Sequence, residues 1–384
     1  MTKENMRVCV CDEQLAGALD EFCRIVWPKS SSDGVPPSQK TVGNEGAERR
    51  QANKAAPVFL FLKDEHAIGH IATIPVRLST AAGVFPLHWI VGFMVLPKYR
   101  NSLVGPLLIK EVNRVLPRAM SLHVEAPVLR ILTGLKWKHI GVLPQYVRVM
   151  RAQAIMRNVQ PSVFGNGKGA AAMVMRTLLT NRLIRGMAGA GLAIAQGVWL
   201  AAGAARRPGG IKAVVQEEQG FDGTYTDLWR SVRGKFPAAM VRDEPALRAR
   251  YERKKDRYRF LGCRQGNALL GYFVLKIKAC EADARLGDIK IGTIVDCLYD
   301  PDLPAIGQTL LTHAVQCFTK EGVDVVLCTA SLQKIRRLLV MNGFCRIPGN
   351  LNCAYHVKAG LPMDDIVLDD WHLMRGDSDA DQNF

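Results

Sequence analysis

Two stretches of this chain pass through the same succession of elements, and that recurrence limits the fold more than any single motif. Each opens with apolar runs of strand character, continues into a long amphipathic helix, and closes with a short strand, a second helix and a last strand. In the first stretch, APVFLFLKDEHAIGHIATIPVRLST and AAGVFPLHWIVGFMVL each read as a strand pair. The long helix follows to about Leu116, then the strand AMSLHVEA, the helix PVLRILTGLKWKHIG and a closing strand, VLPQYVRVMRAQ. Val128, Leu129, Leu132 and Leu135 fall on one face of that second helix. The second stretch has two strands in RYRFLGCRQGNALLGYFVLKIKA and a strand pair in DIKIGTIVDCLYDP. The helix AIGQTLLTHAVQCFTKEG, the strand VDVVLCTA, the helix SLQKIRRLLVMNGFCRI and the strand LNCAYHVK follow. The duplication is one of architecture, not of residues.

This order implies an α/β fold with mixed, α+β-like sheets. A chain of 384 residues is too long for one ordinary core. The expected division is a first domain over 1–156, a helical connector over 157–215 and a second domain over 216–384. Residues 28–56 are rich in Pro, Ser, Gly and charge and read as a loop or lid. The connector holds MAGAGLAIAQGVWLAAGAA, residues 187–205, which is about long enough to cross a bilayer. Its Ala and Gly content and Gln196 weaken insertion, and Arg182, Arg185, Arg206 and Arg207 flank it. A buried or interdomain helix is the first reading, and a helix in peripheral contact with a membrane through 187–205 is the second. The N-terminus has no apolar h-region, so a cytoplasmic protein is expected, with the inner membrane face as the peripheral variant.

Hydrophobic residues at 48% against 22% charged fit a globular chain. The 51 Lys+Arg exceed the 35 Asp+Glu, giving a net charge of +16 that favours an anionic partner. A polyphosphate cofactor, an acidic carrier protein, RNA or an anionic membrane would fit. Of the ten cysteines, seven follow residue 260, and none forms a CxxC. Cys9 and Cys11 lack a second pair or a nearby His, so no metal site is expected. They read as small buried apolar residues in a reducing compartment.

The joint between the strand HWIVGFMVL and the helix GPLLIKEVNRVL is PKYRNSLV. Backbone N–H groups at 101–106 open a helix there, where the potential is positive. Pro106 lacks an N–H but suits a first helical turn, and Arg100 adds a charged fork. These features predict an anion held at the helix N-terminus.

Pro97-x-Tyr99-Arg100 followed by Gly105, ahead of an amphipathic helix, resembles the acyl-CoA pyrophosphate signature of GNAT-type N-acyltransferases. FDGTYTDLW, VRDEPALRARYERKKDRYRFLG and the later GYFVLK and NGF resemble tandem GNAT proteins found with cell-surface polysaccharide pathways. More loosely they resemble the Fem-type aminoacyl-tRNA-dependent transferases. The resemblance implies two tandem GNAT-like domains and an acyl-CoA donor, acetyl-CoA or longer, used without a metal. Arg100, Asn101, Ser102, Leu103, Val104 and Gly105 would hold the diphosphate, and backbone groups of Phe93, Met94 and Val95 the pantetheine arm. A strand N–H would meet the developing oxyanion.

Departures from the pattern are specific. Leu103 stands where the family has a first glycine. Leu132 and Leu339 stand where it often has a tyrosine general acid. DPDLPAIGQ in the second half puts Asp300 and Asp302 where an anion would sit, so that half is expected to be degenerate for CoA. Candidate bases for amine acylation are Glu125, His88 and His123. Asp296, inside the apolar IVDCLYD, and Tyr251, in a basic helix end, are candidate acceptor-binding residues, with an arginine partner as the structural role for Asp296. The acceptor would be a small-molecule amine or sugar nucleotide, with an acyl carrier protein as another partner. A tRNA-dependent transferase and a non-catalytic binding scaffold are the alternative readings.

Overall fold

A computed structural model describes residues 5–28, 56–158, 182–283, 286–358 and 367–381. Nearly all of the loop expected over 28–56, and the connector from 159 to 181, lie outside the described residues.

The first half runs β1 (Met6–Val10), α1 (Ala16–Val26), β2 (Phe59–Lys63), β3 (His66–Thr80), β4 (Gly83–Val95), α2 (Val104–Val115), β5 (Arg118–Leu122), α3 (Ala126–Gly134), β6 (Lys138–Val142) and β7 (Gln145–Val149). Two helices follow, α4 (Ala152–Asn158) and α5 (Arg182–Ala204). The second half runs β8 (Val214–Glu218), α6 (Gly223–Val232), β9 (Ala238–Met240), α7 (Glu244–Tyr251), β10 (Arg259–Gln265), β11 (Ala268–Ala279), β12 (Lys290–Tyr299), α8 (Pro304–Lys320), β13 (Val325–Thr329), α9 (Gln333–Met341), β14 (Cys345–Ile347), β15 (Asn352–Val357) and β16 (Trp371–His372).

The fold class is the expected one: two mixed sheets with helices packed against them. One has the order β1-β2-β3-β4-β5-β15-β6, with β9 on the far end of β3 and β16 on β9. The other has the order β14-β7-β13-β12-β11-β10-β8. Each half therefore lends a strand to the other. β7, expected to close the first sheet, pairs with β13 and β14, while β15 lies between β5 and β6. The crossings fall at Leu143–Pro144 and Pro348–Leu351. Leu143 N–H donates to the Leu351 carbonyl at 2.9 Å. A side chain on Gly349 would stand 2.8 Å from the Leu143 carbonyl oxygen, so the crossing requires glycine.

Several elements differ from expectation. β4 and β12 are single unbroken strands of 13 and 10 residues, not pairs. The helix expected through KWKHIG stops at Gly134; Lys136 turns left-handed at φ 67°, and β6 follows. α5 is not buried. It rests one edge on α4 and α9 and leaves Met187, Ile194 and Val198 exposed. None of the ten cysteines is in a disulfide, and seven are buried.

The first sheet packs α2 and α3 on one face, around Phe59, Ile71, Ile109 and Leu132, and α1 on the other, around Phe22, Leu60 and Trp89. A neutral ion network then ties the C-terminal segment to the second sheet. Arg242 Nε lies 3.0 Å from Asp296 and its Nη2 2.8 Å from Asp377, with all three side chains fully buried. Arg250 reaches Asp377 at 3.2 Å, and Tyr251 Oη donates to Asp296 at 3.3 Å. Removing one carboxylate would leave an uncompensated buried cation. Asp377→Ala is therefore expected to lower the unfolding free energy in urea by about 3 to 5 kcal/mol, with the same m-value.

Candidate active site

The site begins with one extra residue in β4. Against β3, Ala72 pairs with Val91 and His70 with Met94, so Gly92 and Phe93 on β4 face Ile71 alone. Gly92 takes φ 59°, and its carbonyl accepts a hydrogen bond from His70 Nδ1 at 2.8 Å. The bulge reverses the alternation of the strand. Before it, Leu87, Trp89 and Val91 face the α1 side; after it, Phe93 and Val95 face α2 and α3, and Met94 faces the α1 side. It also bends β4 away from its neighbour. β4 pairs in parallel with β5 only at His88–Ala119 and Trp89–Met120. No backbone hydrogen bond joins the two strands beyond these pairs among the described residues. Gly92 to Leu96 are all half-buried along this gap.

At the open end of the gap the chain makes one 3-10 turn at Pro97–Tyr99 and enters α2. The Tyr99 carbonyl accepts from Ser102 N–H at 3.1 Å and Ser102 Oγ at 2.6 Å, and Ser102 Oγ accepts from Val104 N–H at 3.3 Å. The N–H groups of Asn101, Leu103 and Gly105 have no acceptor among the described residues. These are orphan donors of a helix start. Arg100 Nε donates to the Val95 carbonyl at 3.3 Å, which fixes the guanidinium beside the strand end. Lys63 and Lys98 both lie over the Tyr99 ring, at 5.8 and 5.9 Å, and add positive charge. Gly105 fits because Phe93 packs on it: an added Cβ would be 3.2 Å from Phe93 Cζ. Gly69 lets the first turn of α2 sit on β3, since a Cβ there would be 2.7 Å from Val104 Cγ1. Leu103, in the departing position, is 71% exposed and points out of the joint.

The base candidates separate. His123 and Glu125 stand together just past β5, where the gap opens. His123 holds a left-handed φ of 66°, unusual for a side chain this size. Its Nε2 accepts from the Asn350 amide at 3.3 Å. Burial pushes its pKa down, and the Arg375 charge adds to this against Glu125. Glu125 is exposed at the N-cap of α3, with no capping hydrogen bond from its side chain. His88 lies at the closed end of the gap, four residues before the bulge and about 13 Å along the strand. Asp296 and Tyr251 are fully buried in the ion network, so the role the structure gives them is packing the second sheet, with no face turned to an acceptor. Burial pushes the Asp296 carboxyl up, against the pull of Arg242 and Arg250. No group of three or more metal-ligating side chains comes together among the described residues.

The second half repeats this plan with the gap filled. β12 carries its own extra residue, Val295, between Val274–Asp296 and Leu275–Ile294. It leaves β13 after Ile294–Cys328. The segment Trp371–Asp377 lies in the opening. His372 Nε2 donates to the Cys297 carbonyl at 2.8 Å, Ser331 N–H to Leu373 O at 3.0 Å, and Leu373 N–H to Ser331 Oγ at 2.8 Å. Beside the start of α8, Lys235 bonds Asp300 and Asp302 at 2.7 and 2.9 Å, and Lys334 bonds Asp302. Sequence reasoning missed His70, Asn350 and this segment. The one available signal was Gly92, an isolated glycine in an apolar strand, which marks a bulge.

The arrangement matches solved structures across both halves. One is an Enterococcus faecalis V583 protein of unknown function described as a probable N-acyltransferase, at TM-score 0.54 and 10% identity over 92% of this chain and 72% of that one. Another is Saccharomyces cerevisiae N-myristoyltransferase with bound myristoyl-CoA, at TM-score 0.54 and 14% identity over 92% and 84%. A third is a GCN5-related N-acetyltransferase from Kribbella flavida, at TM-score 0.52 and 11% identity over 92% and 71%. The fold is of the GNAT type. No protein-family model matches the sequence, and no curated protein does.

His70 gives the bulge a pH signature. It is fully buried, and burial holds its imidazole down at about 4, against an ordinary 6.5. The unfolded chain takes up that proton near pH 6.5 and the folded chain does not, so the stability it contributes is full above 6.5 and lost as the pH falls toward 4. Between pH 7 and 4.5 the loss amounts to roughly 2 to 3 kcal/mol. In His70→Asn, which keeps a donor toward Gly92, urea unfolding is expected to lose that part of the acid dependence.

Proposed function

We propose that this protein is an N-acyltransferase that takes an acyl group from an acyl-CoA thioester held in the first half and passes it to an amine. The unpaired amides of Asn101, Leu103 and Gly105, at the mouth of an unzipped β4–β5 gap, are the observation that supports this most. A diphosphate would accept from those amides with Arg100 beside it. The pantetheine arm would lie along Phe93–Val95, whose backbone edge has no strand partner across the gap. Myristoyl-CoA bound to the yeast neighbour is consistent with this class of donor. The filled gap and the Asp300–Asp302 pair of the second half favour a single donor site.

In the reaction the acceptor nitrogen attacks the thioester carbonyl. The N–C bond forms, the C–S bond breaks, and the amine's proton is lost as the thiolate leaves and is protonated. Leu132 is fully buried in the helix-side core, so the position where the family often carries a phenol offers the thiolate no proton, and solvent would supply it. We assign the amine's proton to His123, whose pKa burial pushes down, directly or through water, with Nε2 releasing the Asn350 amide as it takes the proton. A strand N–H of β4 would meet the oxyanion.

Arg100→Glu is expected to weaken acyl-CoA binding about tenfold or more in calorimetry; unchanged affinity contradicts the assignment. His123→Gln is expected to lower kcat by about a hundredfold while acyl-CoA affinity stays put. A full-rate variant would transfer the role to Glu125 or water. The parent's acid limb is expected below pH 6.5, because the His123 pKa is shifted down.

A further inference from the structure

α5 is 23 residues long, about 35 Å, and carries no charged side chain from Gly186 to Ala204. Its inner edge is fixed at three points. Gln196 Nε2 donates to the Gly343 carbonyl at 2.8 Å, Trp199 Nε1 to Val340 O at 3.0 Å, and Gly203 sits so close to Met341 that a Cβ would be 2.3 Å from its carbonyl oxygen. The only polar side chain of the stretch and its only indole N–H are thus both satisfied by α9 and the turn after it. What remains outward is apolar throughout: Met187 at 75%, Ile194 at 68%, Val198 at 65% and Trp199 at 43% exposure, set among alanines and glycines.

A helix tied down along one edge cannot stand across a bilayer, although its length and hydropathy would allow it. It can lie flat in the interface. Its ends have the matching charge: Arg182 and Arg185 in its first turn, and exposed Arg206 just beyond its last. Arg207 is committed to the carbonyls of Met341 and Leu200. A second copy docked on this face in either direction would bring cationic ends together, which disfavours self-association. We infer that α5 is an interfacial helix that seats the protein on an anionic lipid surface, with its apolar face among the acyl chains and the exposed Arg206 at the phosphates.

The test is vesicle flotation of the full chain with phosphatidylcholine alone and with added phosphatidylglycerol. The protein is expected to float with the anionic vesicles, less with the neutral ones, and less again in high salt. The double variant Ile194→Asp, Val198→Asp replaces exposed side chains and is expected to keep its Tm while losing about tenfold in binding. As a second readout on the unaltered protein, brominated lipid is expected to quench tryptophan fluorescence, and Trp199→Phe to remove that quenching. Absence of flotation with either vesicle would overturn the inference. So would a double variant that floats as well as the parent, or a parent dimer that the double variant dissolves.

Discussion

One surplus residue in β4 bends that strand off β5, and most of what is distinctive in the first half follows from the bend. A bulge in the middle of a sheet has to be held, because it leaves ladder groups unmatched. Here Gly92 supplies the left-handed backbone and His70 supplies the donor for its carbonyl. The reversal of side-chain alternation puts Phe93 against Gly105, and so couples the bulge to the start of α2. The gap between strands follows from the bulge, and the bare amides that any helix start leaves are held beside it by the Phe93–Gly105 contact.

The same irregularity recurs at Val295 in β12, yet its outcome differs. There the C-terminal segment occupies the opening, anchored by the buried Arg242–Asp377 pair, and acidic side chains rather than arginine flank the helix start. The exchange of β7 and β15 interlocks the two sheets, so neither half completes its sheet without the other. Such a pair of halves can keep one opening for a ligand while the other serves as packing.

Much of this was legible in the sequence. The repeated order of strands and helices gave the two-fold architecture, and the joint around Arg100 sits where its residues implied. The exchanged strands were not legible, since QYVRV and NCAYHV alternate in the same way whichever sheet they join. β4 and β12 were expected as pairs, but in β4 Gly92 marks a bulge and in β12 Gly292 marks a close approach, where a Cβ would be 2.6 Å from the Phe318 ring. The exposure of α5 was hidden for another reason: an Ala/Gly helix has no polar face to declare its outer side. Asp296 was open to an acceptor or an arginine partner, and which arginine was not legible, because Arg242 lies 54 residues away in sequence.

The central claim is that the first opening, and not the second, receives a diphosphate-bearing thioester. A photoreactive acyl-CoA analogue with its reactive group near the diphosphate addresses this directly, through labelling stoichiometry and peptide mapping. The account predicts one label per chain, within the segment from Phe93 to Gly105, competed away by unlabelled CoA. Labelling centred on Asp300–Gly307, or two competable labels per chain, would contradict it.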